Sequence, residues 1–576
     1  MTFALHGVAV SRGIAIGRVH VVERRHLEIA EIRLEEHEVV AEVERLEAAL
    51  ALARHHLREI RDDIPSTTPA EIASFIDTHL LMLEDAAFSE EPVRLVRELR
   101  CNAEWAVKLQ RDKLVAAFEE MDDAYLRTRR DDVENVVERL FRNLLRHKPL
   151  RHEVPDQKLK DMIVLARDLA PPDLVLLQHH GVAGFITEHG GPTSHMSILA
   201  RSMGIPGVVG LHHARRYIRE DETVILDGED GVVIGDAEDT VLAEYRARQA
   251  ARNRFVAGLQ VLREAPARTL DGVTISLQAN VELASDFRSV SDCGATGVGL
   301  YRTEFLFLDH AEYPDEDEHF TTYRQMIAAL DGAPLTIRTA DLGSDKPLAQ
   351  GDGPLAANPA LGLRGIRLCL REPSLFWPQL RAIIRASACG PVRMMIPMLS
   401  TIEEVRQVRD IVATIRNEFA RRGIAFDPTM PIGGMIEVPA AAVCADIFAT
   451  ELDFLSIGTN DLIQYSVAID RVNDEVSYLY DPLNPGVLRL IATTLDAGRK
   501  AGIPVAMCGE MAGDPRYTRL LIGLGLGEFS VHPSALLEIK HVINGTSAAA
   551  ARVTASQLLG VNDGARRREL LDALNA

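Results

Sequence analysis

The chain has 576 residues, of which 47% are hydrophobic and 26% are charged, and its formal net charge is −21. These values are typical of a globular protein, and the length corresponds to about three or four domains. The negative charge argues against nucleic-acid binding, because phosphate backbones attract basic surfaces. The six cysteines form no Cys-x-x-Cys pair, no apolar run approaches a membrane span, and no basic leader is seen. We therefore expect free thiols in a cytoplasmic protein without membrane insertion.

The N-terminal part of the chain changes from a strand pattern to a long helical pattern. Residues 4–22 alternate small and β-branched residues around Gly13 and Gly17, which predicts one or two short strands. From Val39 onward the apolar residues recur every three or four positions, which predicts a helix that packs along a partner helix. Further helical patterns cover about 70–85, 92–121 and 131–147. We interpret 23–148 as an all-helical insert, built as a pair of helical hairpins.

A second strand pattern begins after Pro149. The predicted strands are 162–166, 181–187, 205–210, 222–228 and 231–236. We expect the strands of 4–22 to join this sheet, so that 1–22 and 149–238 form one α/β domain. The charged helical run that follows, about 239–264, predicts a linker, which we bound at 239–267.

The stretch TEHGGPTSHMSILARS places His195 just after the adjacent glycines Gly190 and Gly191. A strand pattern, 182–186, precedes this turn, and a helical pattern, 197–203, follows it. Free backbone N–H groups and the helix dipole make such a corner receptive to anions. His195 could therefore accept a phosphoryl group. The alternative is a surface histidine in a glycine loop.

Beyond residue 268, eight strand patterns alternate with helical patterns. The predicted strands are 274–280, 297–304, 335–341, 393–398, 433–437, 454–461, 504–510 and 528–531. This number of strands in about 300 residues favours a (β/α)8 barrel over 268–576 rather than an open sheet. Catalytic residues of such barrels lie where the strands end. Polar residues do cluster there: Asn280, Arg302, Glu304, Arg338, Glu437, Asn460, Asp461, Cys508 and Glu510.

Arginines are prominent at these strand ends. Arg302, Arg338 and Arg364 would converge from neighbouring segments, and Arg471 could add a fourth guanidinium. Guanidinium groups bind phosphate and carboxylate through paired hydrogen bonds. Together they indicate a site for a phosphorylated carboxylate, although any one of them alone would suit a surface ion pair.

Three further residues extend the predicted chemistry. Glu437 and Asp461 offer two hard oxygen ligands for Mg²⁺, with structural salt bridges as the alternative. The thiol of Cys508 could donate a proton to a carbon or enolate, with core packing as the alternative. The dipeptide Gly-Lys never occurs, so a P-loop nucleotide site is excluded and a small high-energy phosphate is favoured as donor.

Several motifs resemble those of one known family. They are GGPTSHMSILARSMGIPGVVG, GVGLYRTEFLF, RTADLGSDK, LGLRGIR, SIGTNDLIQY, AIDR and AMCGEMAGD. Their sequence and order are similar to enzyme I of the bacterial phosphoenolpyruvate-dependent sugar phosphotransferase system, over nearly the whole chain. The resemblance implies a swivelling phosphohistidine α/β domain, a helical insert that docks the phosphocarrier HPr, and a C-terminal phosphoenolpyruvate barrel that forms a homodimer.

The resemblance also implies a role for each matching residue. His195 would be phosphorylated by phosphoenolpyruvate through Nε2 and would pass the phosphoryl group to HPr. Phosphoenolpyruvate would be held by Arg302, Arg338, Asn460, Asp461 and Arg471, Mg²⁺ by Glu437 and Asp461, and Cys508 would protonate the enolate of the departing pyruvate. This chemistry needs positioning and charge neutralisation more than covalent machinery.

The chain departs from the family pattern at three positions, although none of these changes removes a ligand or the nucleophile. Pro192 stands where the family commonly has arginine, Ala170 replaces a threonine, and Ser344 replaces a glycine. The first two changes alter the expected surroundings of His195.

Two other functions share parts of this plan. A pyruvate or water dikinase would need a large ATP-binding domain, for which about 120 helical residues are too few. A non-catalytic regulator that senses phosphoenolpyruvate would not need the complete set of reactive residues. We also expect a large hinge motion near 239–264, because one histidine must reach both the barrel and HPr.

Overall fold

The computed structural model of the chain divides between Asn253 and Arg254 into two compact units. The residues that it describes are 2–22, 29–63, 70–120, 133, 136–137, 139–141, 143–144, 159–169, 173–174, 177–178, 180–190, 196, 200, 203–282, 290, 292–307, 313–343, 358–470 and 474–576. Within these ranges, every helix is too short or too polar to cross a bilayer.

The first unit contains a mixed sheet whose described strands number eight. They are β1 Phe3–His6, β2 Val8–Ser11, β3 Ile14–Val22, β4 Ile163–Ala166, β5 Gly184–Thr187, β6 Gly207–Val209, β7 Thr223–Asp227 and β8 Val232–Gly235. Their order is β1-β8-β7-β3-β4-β5-β6-β2, with β3 to β6 parallel to one another. The N-terminal strands therefore join the later ones, as predicted. They number three rather than one or two, because the chain breaks at Gly7 and again around Gly13, whose φ is +135°.

The helical part of the first unit follows the predicted pattern closely. Its described helices are Val39–Asp63, Ala70–Glu84, Ala86–Ser89, Glu91–Leu99 and Ala103–Glu120, and the described positions from 133 to 144 are also helical. Four of the apolar residues that recur along the helix Val39–Asp63 are buried in the core: Val43, Leu46, Leu50 and Leu57. The run predicted over 92–121 is two helices instead of one, because Arg100 takes a left-handed conformation with φ 49° and ends the first of them.

A buried ion cluster ties the helical segments together. The guanidinium of Arg45 donates to both carboxylate oxygens of Glu104, at 2.8 and 2.7 Å. It also donates to Glu42 at 2.6 Å and to the carbonyl oxygen of Leu144 at 2.9 Å. One side chain thereby joins three segments that are far apart in the sequence.

The predicted linker is a helix, Asp239–Leu259, followed by a 3₁₀ turn. Within the first unit, Gln249 Nε2 donates to the carbonyl oxygen of Ile14 at 2.6 Å, and Arg248 pairs with buried Asp227 at 3.1 Å. Within the second unit, Leu259 belongs to the hydrophobic core. The two ends of this helix are thus anchored in different units. Another described helix of the first unit is Ala214–Tyr217.

The second unit is a closed barrel of parallel strands, as predicted. The strands are β9 Ser276–Val281, β10 Val298–Tyr301, β11 Leu335–Arg338, β12 Val392–Ile396, β13 Ile432–Ile436, β14 Phe454–Ile457, β15 Val505–Met507 and β16 Glu528–Val531. Several strands end earlier than the sequence predicts. Asn460 and Asp461, for example, lie in the first turn of a helix rather than in the sixth barrel strand.

Helices surround this barrel and bury its outer face. Those described are Glu316–Ala329, Ile366–Arg371, Pro373–Ala386, Ile402–Arg422, Pro439–Val443, Ala445–Phe448, Thr459–Ser466, Pro485–Ala501, Glu510–Gly513, Pro515–Leu524, Pro533–Asn544, Ala548–Gly560 and Gly564–Asn575. Short 3₁₀ turns lie at Gln260–Leu262, Glu304–Phe307, Pro359–Leu361 and Asp474–Leu479.

Candidate active site

Two of the predicted arginines share one buried carboxylate at the barrel mouth. Arg338, the last residue of β11, lies 2.9 Å from Glu304 and 3.4 Å from Asp341 Oδ2. Arg364 reaches the same Asp341 oxygen at 3.0 Å. Both arginines hold pKa values above the ordinary range, because these carboxylates outweigh the cost of burial. Arg338 and Arg364 therefore converge, as predicted.

Arg302 follows β10 and forms a short ion pair with Glu282. That carboxylate raises the pKa of Arg302, while the nearby charge of Arg338 opposes the shift. Glu304 acts on both guanidinium groups. Arg302 therefore shares the electrostatic environment of the other arginines, and a dianionic ligand would relieve the repulsion among them.

Glu437 and Asp461 form a buried pair of carboxyl groups. Glu437 directly follows β13 and is 1% exposed, and Asp461 is also buried. Burial raises the pKa of Glu437 to about 8, and the charges of Asp461 and Asp341 add to the effect. A divalent cation would remove this repulsion, and hard carboxylate oxygens are the ligands that Mg²⁺ prefers.

No group of three or more His, Cys, Asp or Glu side chains within the described ranges has metal-site geometry. Mg²⁺ is commonly bound by only one or two carboxylates, with substrate oxygens and water completing its shell. The donor set of Glu437 and Asp461 therefore fits a magnesium ion that is completed by its substrate.

A strained backbone position orients Glu437. Met398 is a buried non-glycine residue with φ 57°, and its N–H donates to Glu437 Oε1 at 2.6 Å. Such conformations cost about 1–3 kcal/mol and persist where the surroundings enforce them. Gly365 allows the close approach, since a Cβ on it would lie 2.8 Å from the Cβ of Met398. No pattern in the sequence indicates a role for Met398.

Cys508 directly follows β15 and is buried. Ser456 Oγ donates to its Sγ at 3.4 Å, and Asn280 Nδ2 donates to its carbonyl oxygen at 3.0 Å. Burial raises the pKa of the thiol above its usual value. The thiol therefore keeps its proton at neutral pH, which is the state that a proton donor requires.

The Cys508 loop lies directly against the helix Thr459–Ser466. Asn460 Oδ1 accepts from the N–H of Glu510 at 2.9 Å. A Cβ added to Gly509 would lie 1.9 Å from Thr459 Oγ1, so only glycine permits this approach. Asn460, Asp461 and Cys508 are in this way brought together, as predicted.

The remaining predicted residues, His195 and Arg471, lie outside the described ranges, as do Ala170, Pro192 and Ser344. The described residues at the end of β5 are firmly held. Glu188 is buried against Arg215, whose guanidinium lies 2.6 Å from its carboxylate.

The family of the chain follows from comparison with known proteins. Three models of phosphoenolpyruvate-utilising enzymes match it: the PEP-binding domain over 256–548, the N-terminal domain over 6–129 and the mobile domain over 159–231. The chain belongs to the phosphoenolpyruvate-utilising enzymes.

Within this family, the chain is similar to proteins named phosphoenolpyruvate-protein phosphotransferase. The relative from Cupriavidus necator is 48% identical over 552 residues, which cover 94% of each chain. The relative from Geobacillus stearothermophilus is 40% identical and covers 92% of this chain and 91% of its own. The relative from Listeria innocua is 39% identical over 94% of each chain. The resemblance seen in the sequence is thereby confirmed.

Proposed function

We propose that the chain is a phosphoenolpyruvate–protein phosphotransferase that performs the first step of the sugar phosphotransferase system. It transfers the phosphoryl group of phosphoenolpyruvate to its own His195, releases pyruvate, and then phosphorylates a histidine of an HPr-type phosphocarrier. The observation that carries this proposal is the buried cluster at the barrel mouth, where guanidinium groups, two carboxyl groups and a protonated thiol share one environment. Relatives of that name, one of them 48% identical to this chain, support the proposal.

The substrate is held by charge and directed hydrogen bonds. Arg302, Arg338, Arg364 and Arg471 bind the phosphate and carboxylate groups, which guanidinium forks match in geometry. Asn460 and Asp461 complete the substrate site. Glu437 and Asp461 would hold Mg²⁺, which supplies charge neutralisation on the transferred phosphoryl group.

In the reaction, the P–O bond of phosphoenolpyruvate breaks while a P–N bond forms to Nε2 of His195. The electron pair left on the enolate oxygen re-forms the carbonyl group, and the enolate carbon takes the thiol proton of Cys508. The thiolate that remains recovers a proton from water. The barrel's own residues thus position the substrate, stabilise its charge and supply the proton.

We assign domains and partners on the same basis. Residues 1–22 with 149–238 form the phosphohistidine domain, 23–148 the HPr-docking insert, 239–267 the linker, and 268–576 the barrel that forms a homodimer. The protein acts in the cytoplasm, and His195 moves between two sites by a hinge near 239–264. Solution scattering with and without phosphoenolpyruvate tests this motion.

The proposal is tested by incubating the protein with Mg²⁺ and phosphate-labelled phosphoenolpyruvate. We expect acid-labile label on the protein and its transfer to HPr. The variant His195→Ala takes up no label, whereas His212→Ala, which changes an exposed histidine of the same unit, labels normally. Cys508→Ala still transfers the phosphoryl group but forms pyruvate slowly. Label on His195→Ala would refute the nucleophile, exchange with a nucleotide would indicate a dikinase, and no label on the wild type would indicate a regulator.

A further inference from the structure

A buried amide lies between the two strand ends that carry Arg302 and Arg338. Gln379, in the helix Pro373–Ala386, is 0% exposed. Its Oε1 accepts from the N–H of Ala340 at 2.9 Å, and its Nε2 donates to Thr303 Oγ1 at 3.0 Å. Because a backbone N–H can only donate, the contact with Ala340 fixes the orientation of the amide. One side chain therefore joins the segments that follow β10 and β11.

Two further hydrogen bonds connect these segments directly. Thr303 Oγ1 donates to the carbonyl oxygen of Arg338 at 3.0 Å, and the N–H of Asp341 donates to Glu304 Oε1 at 3.1 Å. The pairing of β10 with β11 is irregular between Val298 and Tyr301. The ladder changes register just before these two strand ends, and the side-chain hydrogen bonds add further links between them.

The network extends into a neighbouring helix. Gln379 Nε2 lies 3.4 Å from the hydroxyl of Tyr323, which lies 3.2 Å from His319 Nδ1. Tyr323, His319 and Thr303 are each 0% exposed. Apolar side chains could fill this layer without the cost of removing polar groups from water. A buried amide whose hydrogen bonds are satisfied, as those of Gln379 are, instead makes the local structure rigid and unique.

We propose that Gln379 is a positioning residue for phosphoenolpyruvate, acting through Thr303 to fix the separation of Arg302 and Arg338. This inference rests on the proposed function of the barrel mouth. Its physical basis is that both guanidinium groups must meet one small ligand at once. A misplacement of about 1 Å can cost on the order of a hundredfold in rate.

The test uses the full chain with Mg²⁺ and HPr and measures KM and kcat for pyruvate formation. Gln379→Met keeps the side-chain volume but removes all the hydrogen bonds of the amide, and Thr303→Val removes the hydroxyl. We expect each to raise the KM for phosphoenolpyruvate and to lower kcat/KM by about tenfold to a hundredfold. Thr303→Ser restores the hydroxyl and recovers most of the loss. The double variant loses no more kcat/KM than the more impaired of the two single variants, because both changes break one network.

Two controls separate positioning from general damage. Thr494→Val removes a buried hydroxyl of the same unit, which donates within its own helix to the carbonyl oxygen of Leu490 at 2.9 Å. If its melting temperature falls by as much as that of Gln379→Met, Thr494→Val should still keep the wild-type KM for phosphoenolpyruvate. In the proposed function, return of the phosphoryl group from phosphorylated HPr to His195 involves no residue of the barrel, so Gln379→Met should keep the wild-type rate of this step.

The outcomes distinguish the two proposals. A wild-type protein that forms no pyruvate refutes the proposed function. If the wild type is active and a folded Gln379→Met variant has unchanged KM and kcat/KM, only the positioning role is refuted. The same holds if the fold-loss of kcat/KM in the double variant is the product of the losses in the two single variants. If Gln379→Met fails to fold, the comparison of Thr303→Val with Thr303→Ser decides the question.

Discussion

The affinity of the metal-free protein for a divalent cation is expected to fall steeply as the pH is lowered through the neutral range. Burial and the charge of Asp461 raise the pKa of Glu437 to about 8. Its carboxyl group therefore holds a proton at neutral pH, and a cation must displace that proton in order to bind. The pH dependence of cation binding arises at Glu437 because its carboxyl group is buried beside a second carboxyl group, that of Asp461.

The size of the effect follows from this pKa. Well below about pH 8, each unit of pH weakens the observed binding by about tenfold, and above it the affinity levels off. Between about pH 8.5 and about pH 6.5, the loss is roughly 25-fold, and close to one proton leaves the protein for each ion bound at the lower pH.

The measurement uses Mn²⁺, whose preference for carboxylate and water ligands resembles that of Mg²⁺ and whose free form is counted by electron paramagnetic resonance. Calorimetry in two buffers of different ionisation enthalpy counts the protons released. Glu437→Gln should bind the ion weakly and with little pH dependence. Equal affinity at both pH values, or a Glu437→Gln variant that keeps the slope, would refute the reasoning.

The remaining predictions concern stability and packing. Glu437→Gln should raise the melting temperature of the chelator-treated protein at pH 8. Between pH 4.5, the usual pKa of a glutamate, and about pH 8, Glu437 keeps a proton in the folded state that it releases in the unfolded state. The stability of the wild type therefore falls by about 1.4 kcal/mol per pH unit as the pH rises through this range. Scanning calorimetry measures this, and an unchanged melting temperature contradicts it. Gly509→Ala should lower kcat/KM by about a hundredfold in a folded protein, because its Cβ would lie 1.9 Å from Thr459 Oγ1 and push apart the segments that carry Asp461 and Cys508. Steady-state kinetics measures the change, with circular dichroism as the control for folding, and wild-type kinetics would contradict the prediction. Arg45→Met should destabilise the first unit by about 3 kcal/mol, because it leaves Glu104 buried without its partner. Urea unfolding measures the change, and a loss below about 1 kcal/mol would show that the cluster is well solvated.

The barrel is predictable from the sequence because its strands are short apolar runs separated by helical patterns. Their ends are less predictable. The run 454–461 reads as one strand, yet β14 ends at Ile457, and the helix containing Asp461 begins at Thr459. Strand patterns record side-chain alternation, whereas the end of a strand is set by where the backbone finds other hydrogen-bond partners.

The polar residues that gather at the barrel mouth were predictable from the sequence, but the residues that support them were not. Arg338 and Cys508 are recognisable because their residue types follow apolar strands. Gln379 is one polar residue in an amphipathic helix, and the sequence does not reveal that it faces the barrel. Met398 is likewise an ordinary apolar residue until its left-handed backbone is seen. Supports of this kind depend on contacts between segments distant in sequence.

The barrel mouth combines several features that carry a cost in folding: guanidinium groups that repel one another, two neighbouring carboxyl groups and a strained backbone at Met398. The two charge repulsions are relieved by ligands of the opposite charge, because a dianion offsets the repulsion among the arginines and a cation offsets that between Glu437 and Asp461. Neither ligand alone relieves both repulsions. Binding of the metal and of phosphoenolpyruvate should therefore be mutually reinforcing, with each raising the affinity of the other by the same factor.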